Sequence, residues 1–280
     1  MKTRFAPSPT GYLHIGHAWS AWHGQRLARE LNGEFTLRIE DIDQTRCRPE
    51  FETAIFEDLS WLGFDWPTPV RRQSDHFDDY RAALLQLDAM GLLYKCFCSR
   101  ADIKAENAPH GPEGPIYPAT CKNLCASETA ERVERGDAYA LRLDMDKAIR
   151  QAGTKLYWHD IYKGDQLARP DLFGDIVLAR KDTPASYHLC VTHDDALEGM
   201  THIVRGEDLF EATHIHRLLQ ALLNYPTPLY AHHGLLLNSE GKRFAKRDGA
   251  VTLREIRAKG VSAEALLTAL IKGDHAAVTE

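Results

Sequence analysis

Residues 3–17, TRFAPSPTGYLHIGH, govern how the rest of the chain is read. TRFA (3–6) reads as a short first strand, and PSPTGYLHIG (7–16) as a turn rich in proline and glycine. Apolar Ala18, Trp22, Leu27, Ala28 and Leu31 then recur at close to helical spacing, and Asn32-Gly33 marks the end of that helix. Two imidazoles, His14 and His17, therefore flank Gly16 where a loop enters a helix. The free N–H groups and dipole of such a helix start attract anions. Gly16 lets a charged ligand approach the backbone closely, and both histidines can donate hydrogen bonds to phosphate.

Working outward, EFTLRIE (34–40) alternates Phe35, Leu37 and Ile39 and reads as a strand. RPEFETAIFEDLSWLG (48–63) is a helix with Pro49 in its first turn and Gly63 at its end. SDHFDDYRAALLQLDAMG (74–91) is another, with Ser74 as the expected N-cap. This strand–helix alternation predicts an α/β fold with a Rossmann-like parallel sheet, whose ligands sit beyond the carboxyl ends of the strands. From Tyr94 the rhythm breaks, as an inserted module would break it. AENAPHGPEGPIYPAT (105–120) is expected to be loop, and AYALRLDM and GDIVLAR to be strands. Cys190, in YHLCVTHDD, is expected in the core of an apolar strand. THIVRGEDLF resumes strand-then-turn, and EATHIHRLLQALL is helical.

The net charge of −6 argues against a wholly basic nucleic-acid coat. One basic patch stands out, GKRFAKRDGAVTLREIRAKG (241–260), with seven Lys or Arg against two acids. It suits RNA phosphates, or it is a solvated surface. No apolar run fits a signal peptide or a membrane span. A cytoplasmic protein with reduced thiols and no membrane is expected, monomeric by default, and the i, i+2 cysteines of YKCFCSR are poorly placed for a disulfide.

RFAPSPTGYLHIGH, LRIEDID, YHLCVTHDD, IVRGEDL and GKRFAKRDG occur in that order. Together they resemble the glutamyl-tRNA synthetase lineage of class I aminoacyl-tRNA synthetases, from Thr3 to about Lys259. Only a short tail follows Lys246, so the chain looks like the truncated paralogue family, the glutamyl-queuosine tRNA(Asp) synthetases. The resemblance implies a split catalytic domain (1–93 and 186–235), an inserted zinc module (94–185), and a catalytic loop with a C-terminal helical segment (236–280). It implies no anticodon-binding domain. The implied reaction is ATP-dependent activation of L-glutamate, with Mg²⁺ accompanying ATP, and transfer to the queuosine base in the anticodon loop of tRNA(Asp).

Glutamate carries two carboxylates and an ammonium, so its pocket needs cations and an anion. Arg4 and Arg205 are the candidate carboxylate forks. Glu40 is the candidate partner of the ammonium, and Tyr187 a hydrogen-bonding wall. Phe5, Ala6, Pro7 and Ser8 complete the glutamate pocket by resemblance. His14, Gly16, His17 and Lys246 are the implied ATP-binding residues, with His14, His17 and Lys246 catalytic through stabilisation of phosphoryl charge. The loop departs from the lineage pattern K-[ML]-S-K-[SR], since Arg243 and Ala245 replace its first lysine and its serine; a slower but working loop is expected. Asp194, Asp195, Glu207 and Asp208 are expected as turn and helix-cap carboxylates with some contact to ribose or Mg²⁺.

Four of six cysteines, Cys96, Cys98, Cys121 and Cys125, form C-x-C…C-x₃-C. Spacing alone nominates these four thiolates for zinc, with His110 a further candidate and metal-free thiols the alternative. The resemblance implies a different set, Cys96, Cys98, Tyr117 and Cys121, with a structural role. Two other functions compete with the main one: a short glutamyl-tRNA synthetase charging a 3′ end, and a non-catalytic tRNA-binding module with a decayed loop.

Overall fold

The first strand runs Lys2–Phe5 and pairs in parallel with Glu34–Ile39, Arg4 standing opposite Thr36. Arg71–Arg72 extends this pair through the register Arg38↔Arg71, again in parallel. The structure is a computed structural model describing residues 1–105, 108–153, 155–236 and 251–274. On the other side of Lys2–Phe5 lies His202–Gly206: Thr201 N–H donates to Lys2 O at 3.0 Å and Lys2 N–H to Thr201 Oγ1 at 2.8 Å. Phe5 and Gly206 both reach the same cleft, so these two strands run in the same direction. His202–Gly206 pairs in parallel with Leu229–His233, which pairs in parallel with Tyr157–Asp160 through Tyr230↔Asp160. Gly164–Leu167 closes that edge antiparallel. The fold is thus α/β with a parallel sheet, and Tyr157–Asp160 and Gly164–Leu167 are hydrogen-bonded to it although they lie within 94–185.

The helix Ile15–Glu30 packs Ala18, Ala21 and Ala28 against Phe35, Leu37 and Ile39 of the neighbouring strand. The same core takes Ile55 and Leu59 from helix Pro49–Trp61, and Leu253, Ile256, Leu266 and Leu270 from helices Leu253–Ala258 and Ala263–Lys272. Burying those four leucine and isoleucine side chains supplies roughly 1.5–3 kcal/mol apiece, which anchors the C-terminal segment beside the His14–His17 loop. A second core joins helices Phe77–Ala89, Tyr187–Leu197 and Ala212–Leu222 to an antiparallel sheet of Leu93–Cys96, Ala140–Leu143 and Val177–Ala179. Among the described residues no helix is long and apolar enough to cross a membrane.

Two local expectations are corrected. Ser74 is no N-cap: Gln73–His76 forms a 3₁₀ turn ahead of the helix, and Ser74 donates its N–H and hydroxyl to Asp41 at 2.8 and 2.5 Å. Cys190 is buried, but in helix Tyr187–Leu197 rather than a strand. That helix is covered around much of its circumference, so its apolar run shows no single-face periodicity to separate it from a buried strand.

Candidate active site

Helix Ile15–Glu30 starts with histidines doing the work usually done by Ser and Glu. His14 Nδ1 accepts Gly16 N–H at 3.1 Å, and His14 N–H donates to His17 Nδ1 at 3.1 Å. With both Nδ1 atoms accepting, each neutral ring carries its proton on Nε2. A Cβ on Gly16 would come within 2.9 Å of the His14 ring, so only glycine leaves this cap intact.

A cleft of about 500 Å³ opens at the carboxyl ends of Lys2–Phe5 and His202–Gly206. Arg4, Phe5, Ala6, Pro7 and Ser8 line it from the first strand and its turn, and His14, Gly16 and His17 from the helix start. Glu40 enters from the end of the second strand, Tyr187 from the start of its helix, and Arg205 from the fourth strand in the sheet order. Every nominated cleft residue that the structure describes is therefore brought together. Lys246 lies outside the described residues, as do Arg243 and Ala245. The flanks of that segment sit at the cleft: Leu235 and Leu236 line it, Thr252 bridges to His14, and Leu253 N–H donates to Leu13 O at 2.8 Å.

The two arginines of the cleft differ in their partners. Arg4 donates from Nε and Nη2 to the two oxygens of Asp195, at 2.8 and 3.1 Å. Arg38, fully buried behind it, donates to Asp195 at 2.8 Å, Glu198 at 2.9 Å and Glu40 at 3.0 Å. Asp194 accepts from Arg71 at 3.0 Å, from Gln73 at 2.8 Å and from the Tyr80 hydroxyl. The expectation for these two acids is thus corrected: Asp194 and Asp195 are buried helical residues held by arginines, not turn or cap carboxylates. A carboxylate this deep stays ionised only beside a cation. Burial opposes ionisation of Asp195, but Arg4 and Arg38 hold its pKa below the usual carboxylate range. For Glu40 burial outweighs Arg38 and Arg4, and its pKa rises. His193, beside these acids, bonds to the Tyr225 hydroxyl at 2.7 Å.

Arg205 has neutral partners instead. It donates from Nε to His232 Nε2 at 3.0 Å, from Nη1 to His216 Nδ1 at 3.2 Å and from Nη2 to Thr213 Oγ1 at 2.6 Å. His232 Nδ1 in turn meets Asp160 at 2.7 Å. Burial, then the Arg205 charge, pushes His232 down to about 3 and His216 well below its ordinary value. A guanidinium has five N–H donors, and these bonds use three. Among the described residues no carboxylate pairs with Arg205, which is 4% exposed. Such a buried, unneutralised cation suits an anionic ligand. The sequence reading did not nominate Arg38, Thr213, His216 or His232. THIHR and AHHG show no signal that would have found them.

At the end of strand Leu93–Cys96, the Sγ atoms of Cys96, Cys98 and Cys121 lie within 4.8 Å of one another, the one such group among the described residues. The Tyr117 hydroxyl is 3.6 Å from Cys98 Sγ and accepts Cys121 N–H at 2.7 Å. The Arg142 guanidinium stacks on its ring at 3.8 Å. Cys125 is exposed and caps helix Ala126–Glu134, its sulfur accepting Glu128 N–H at 3.4 Å. His110 is exposed in the hairpin His110–Gly111/Gly114–Pro115.

A parallel α/β sheet thus brings a histidine-capped helix start and a buried arginine to one cleft, an arrangement suited to anionic ligands. The chain matches the family described as "tRNA synthetases class I (E and Q), catalytic domain" over residues 1–275, and it belongs to that family. It is thus an enzyme of the aminoacyl-tRNA ligase family. It is 47% identical over 278 residues to the glutamyl-Q tRNA(Asp) synthetase of Rhodobacter capsulatus, covering 94% of this chain and 96% of that protein. It is 38% identical to the glutamate–tRNA ligase of Aquifex aeolicus, covering 96% of this chain but 56% of the ligase. The solved glutamate-tRNA synthetase of Elizabethkingia anophelis superposes with a TM-score of 0.74 at 29% identity, over 89% of this chain and 53% of that one.

Proposed function

We propose that the chain activates L-glutamate with ATP and Mg²⁺ and transfers it to the queuosine base in the anticodon loop of tRNA(Asp). The observation that carries the activation step is the single cleft joining the His14–His17 helix start to Arg205. Arg205 takes a glutamate carboxylate, because its charge has no carboxylate neighbour among the described residues. Arg4, already neutralised by Asp195, shapes the pocket and contributes less charge. Glu40 receives the ammonium, Tyr187 walls the pocket, and the Phe5–Ser8 turn completes it. His14 and His17 meet the phosphates through their Nε2–H groups, Gly16 allows the close approach, and Lys246 approaches from the loop. The glutamate carboxylate attacks the α-phosphate and pyrophosphate leaves; no protein nucleophile takes part, and rate comes from positioning and charge stabilisation.

The choice of acceptor is supported by the similarity to glutamyl-Q tRNA(Asp) synthetases. A cytoplasmic monomer is part of the same proposal, as is the division into a split catalytic domain and an inserted module. The sheet contacts of 157–167 favour ending that module before Tyr157. Within it, Cys96, Cys98, Cys121 and Tyr117 fit a closed site for one Zn²⁺, three sulfurs and a phenol oxygen converging. Bound zinc would tie Cys96 and Cys98, at the end of one strand, to the Tyr117–Cys121 segment.

The test is glutamate-dependent ATP–pyrophosphate exchange, then mapping of radioactive glutamate on nuclease fragments of tRNA(Asp) with and without queuosine. Label on the anticodon-loop fragment, only when queuosine is present, is expected. Label on the 3′-terminal adenosine would favour a short glutamyl-tRNA synthetase. Absence of exchange would favour a binding module.

A further inference from the structure

The Arg205 guanidinium stands at the head of two hydrogen-bond chains, each ending on a carboxylate. The short one passes through His232 to Asp160, at 3.0 and 2.7 Å. The long one runs from Arg205 Nη1 to His216 Nδ1 at 3.2 Å, from His216 Nε2 to His188 Nδ1 at 3.2 Å, and from His188 Nε2 to Glu113 Oε2 at 3.0 Å.

The direction of the long chain is forced. Arginine only donates and an ionised carboxylate only accepts. His216 Nδ1 must therefore accept, which puts its single proton on Nε2. That proton is donated to His188 Nδ1, so the proton of His188 sits on Nε2 and goes to Glu113. A doubly protonated His188 would leave His216 accepting at both nitrogens with no proton at all. Both rings are thus neutral and both are Nε2–H tautomers.

His188 and His216 are 8% and 2% exposed, while Glu113 reaches solvent from the two-residue turn of the hairpin His110–Gly111/Gly114–Pro115. The hairpin is seated closely: a Cβ on Gly111 would lie 2.6 Å from the Leu172 carbonyl. A residue at a hairpin tip outside the cleft thus ends the chain that orients the cleft's arginine.

We propose that Glu113 is a positioning residue for amino-acid capture: through His188 and His216 it fixes the orientation of Arg205, coupling the placement of hairpin 110–115 to the carboxylate pocket. This rests on the reading of Arg205 as the site of a glutamate carboxylate. Glu113→Ala leaves His188 Nε2–H without its acceptor and loosens the chain from its far end. Glu113→Gln keeps an acceptor, since its amide oxygen still receives that proton.

In pyrophosphate exchange, Glu113→Ala should raise the KM for glutamate about tenfold, on the scale of one well-made hydrogen bond, while kcat and the KM for ATP stay unchanged. Glu113→Gln should recover most of the loss. An unchanged glutamate KM in Glu113→Ala overturns the proposal, and so does a loss shared with kcat and ATP, the mark of general damage. Nitrogen-15 NMR of the imidazoles tests the chain independently of any substrate. His188 and His216 should both be Nε2–H tautomers in the native protein. Glu113→Ala should keep them, since Arg205 sets them from the other end, but shift the His188 Nε2 resonance and speed exchange of its proton with solvent. An Nδ1–H tautomer on either ring, or spectra indifferent to Glu113→Ala, overturns the proposal. Native tautomers with a His188 Nε2 resonance that responds to Glu113→Ala, in a protein without glutamate-dependent exchange, would uphold the coupling and remove the glutamate reading alone.

Discussion

Arg4 and Asp195 stand 191 residues apart in the chain and meet as a two-point ion pair, 2.8 and 3.1 Å, in the wall of the cleft. Arg38 donates to the same carboxylate from behind. Removing the acid leaves two buried guanidinium groups short of a counter-charge. Asp195→Asn should destabilise the fold by about 3–5 kcal/mol, measured by urea unfolding at pH 7. The sign with pH follows from the lowered pKa of Asp195. Its contribution is complete above the unfolded value of about 3.9 and disappears as pH falls through the lower folded value. The gap between native protein and variant should hold steady from pH 5 to 8 and close in stronger acid.

Among the described residues the direct hydrogen-bond partners of Arg205 are neutral, so its charge is offered to the cleft. Arg205→Gln should raise the KM for glutamate roughly 10–100-fold, the weight of a charged hydrogen-bonding site, and leave the KM for ATP nearly unchanged. An equal rise in both constants would remove Arg205 from the amino-acid pocket.

Lys246 carries the phosphate-side role in the proposed reaction. Lys246→Ala should abolish most pyrophosphate exchange while unfolding at the same urea concentration as the native protein. Near-normal exchange would refute the assignment.

Zinc content separates the two sulfur sets. Cys125 already serves as an N-cap, and serine is a preferred N-cap residue. Cys125→Ser should keep its zinc and lose no stability. Cys121→Ser should lose the metal, and Tyr117→Phe should bind it more weakly, as measured by elemental analysis and chelator competition. Zinc lost from Cys125→Ser and retained in Tyr117→Phe would reverse the ligand choice.

Asp58, on helix Pro49–Trp61, is 1% exposed and neither carboxylate oxygen has a hydrogen-bond partner among the described residues. Burial raises its pKa to about 6, against the pull of Arg257 and Arg254. Folding therefore favours the protonated acid. That stabilisation is complete below the unfolded value near 3.9 and is lost as pH rises through 6. Asp58→Ala should gain on the native protein by about 1–2 kcal/mol between pH 4 and pH 7.5, at 1.36 kcal/mol per pKa unit less an allowance for water access. A pH-independent difference would rule this out.

Much of the fold could be read from the chain alone, because its signals are local. The alternation in EFTLRIE, Pro49 and Gly63 around one helix, and Asn32-Gly33 after another each mark an element within a few residues. The nominated cleft residues were legible because short runs carry them: RFAPS, HIGH, and one residue each from LRIE, YHLC and IVRG. Tertiary structure alone decided which charges those residues keep. Nothing near Arg4 or Arg205 in sequence shows that one meets Asp195 and the other, among the described residues, His216, His232 and Thr213. The same holds for Cys190, placed in a helix by packing that covers more than one of its faces, and for Cys125, turned away from the sulfur cluster by its cap. Burial and long-range pairing set the electrostatics of each group, and both depend on which distant segments the sheet brings together.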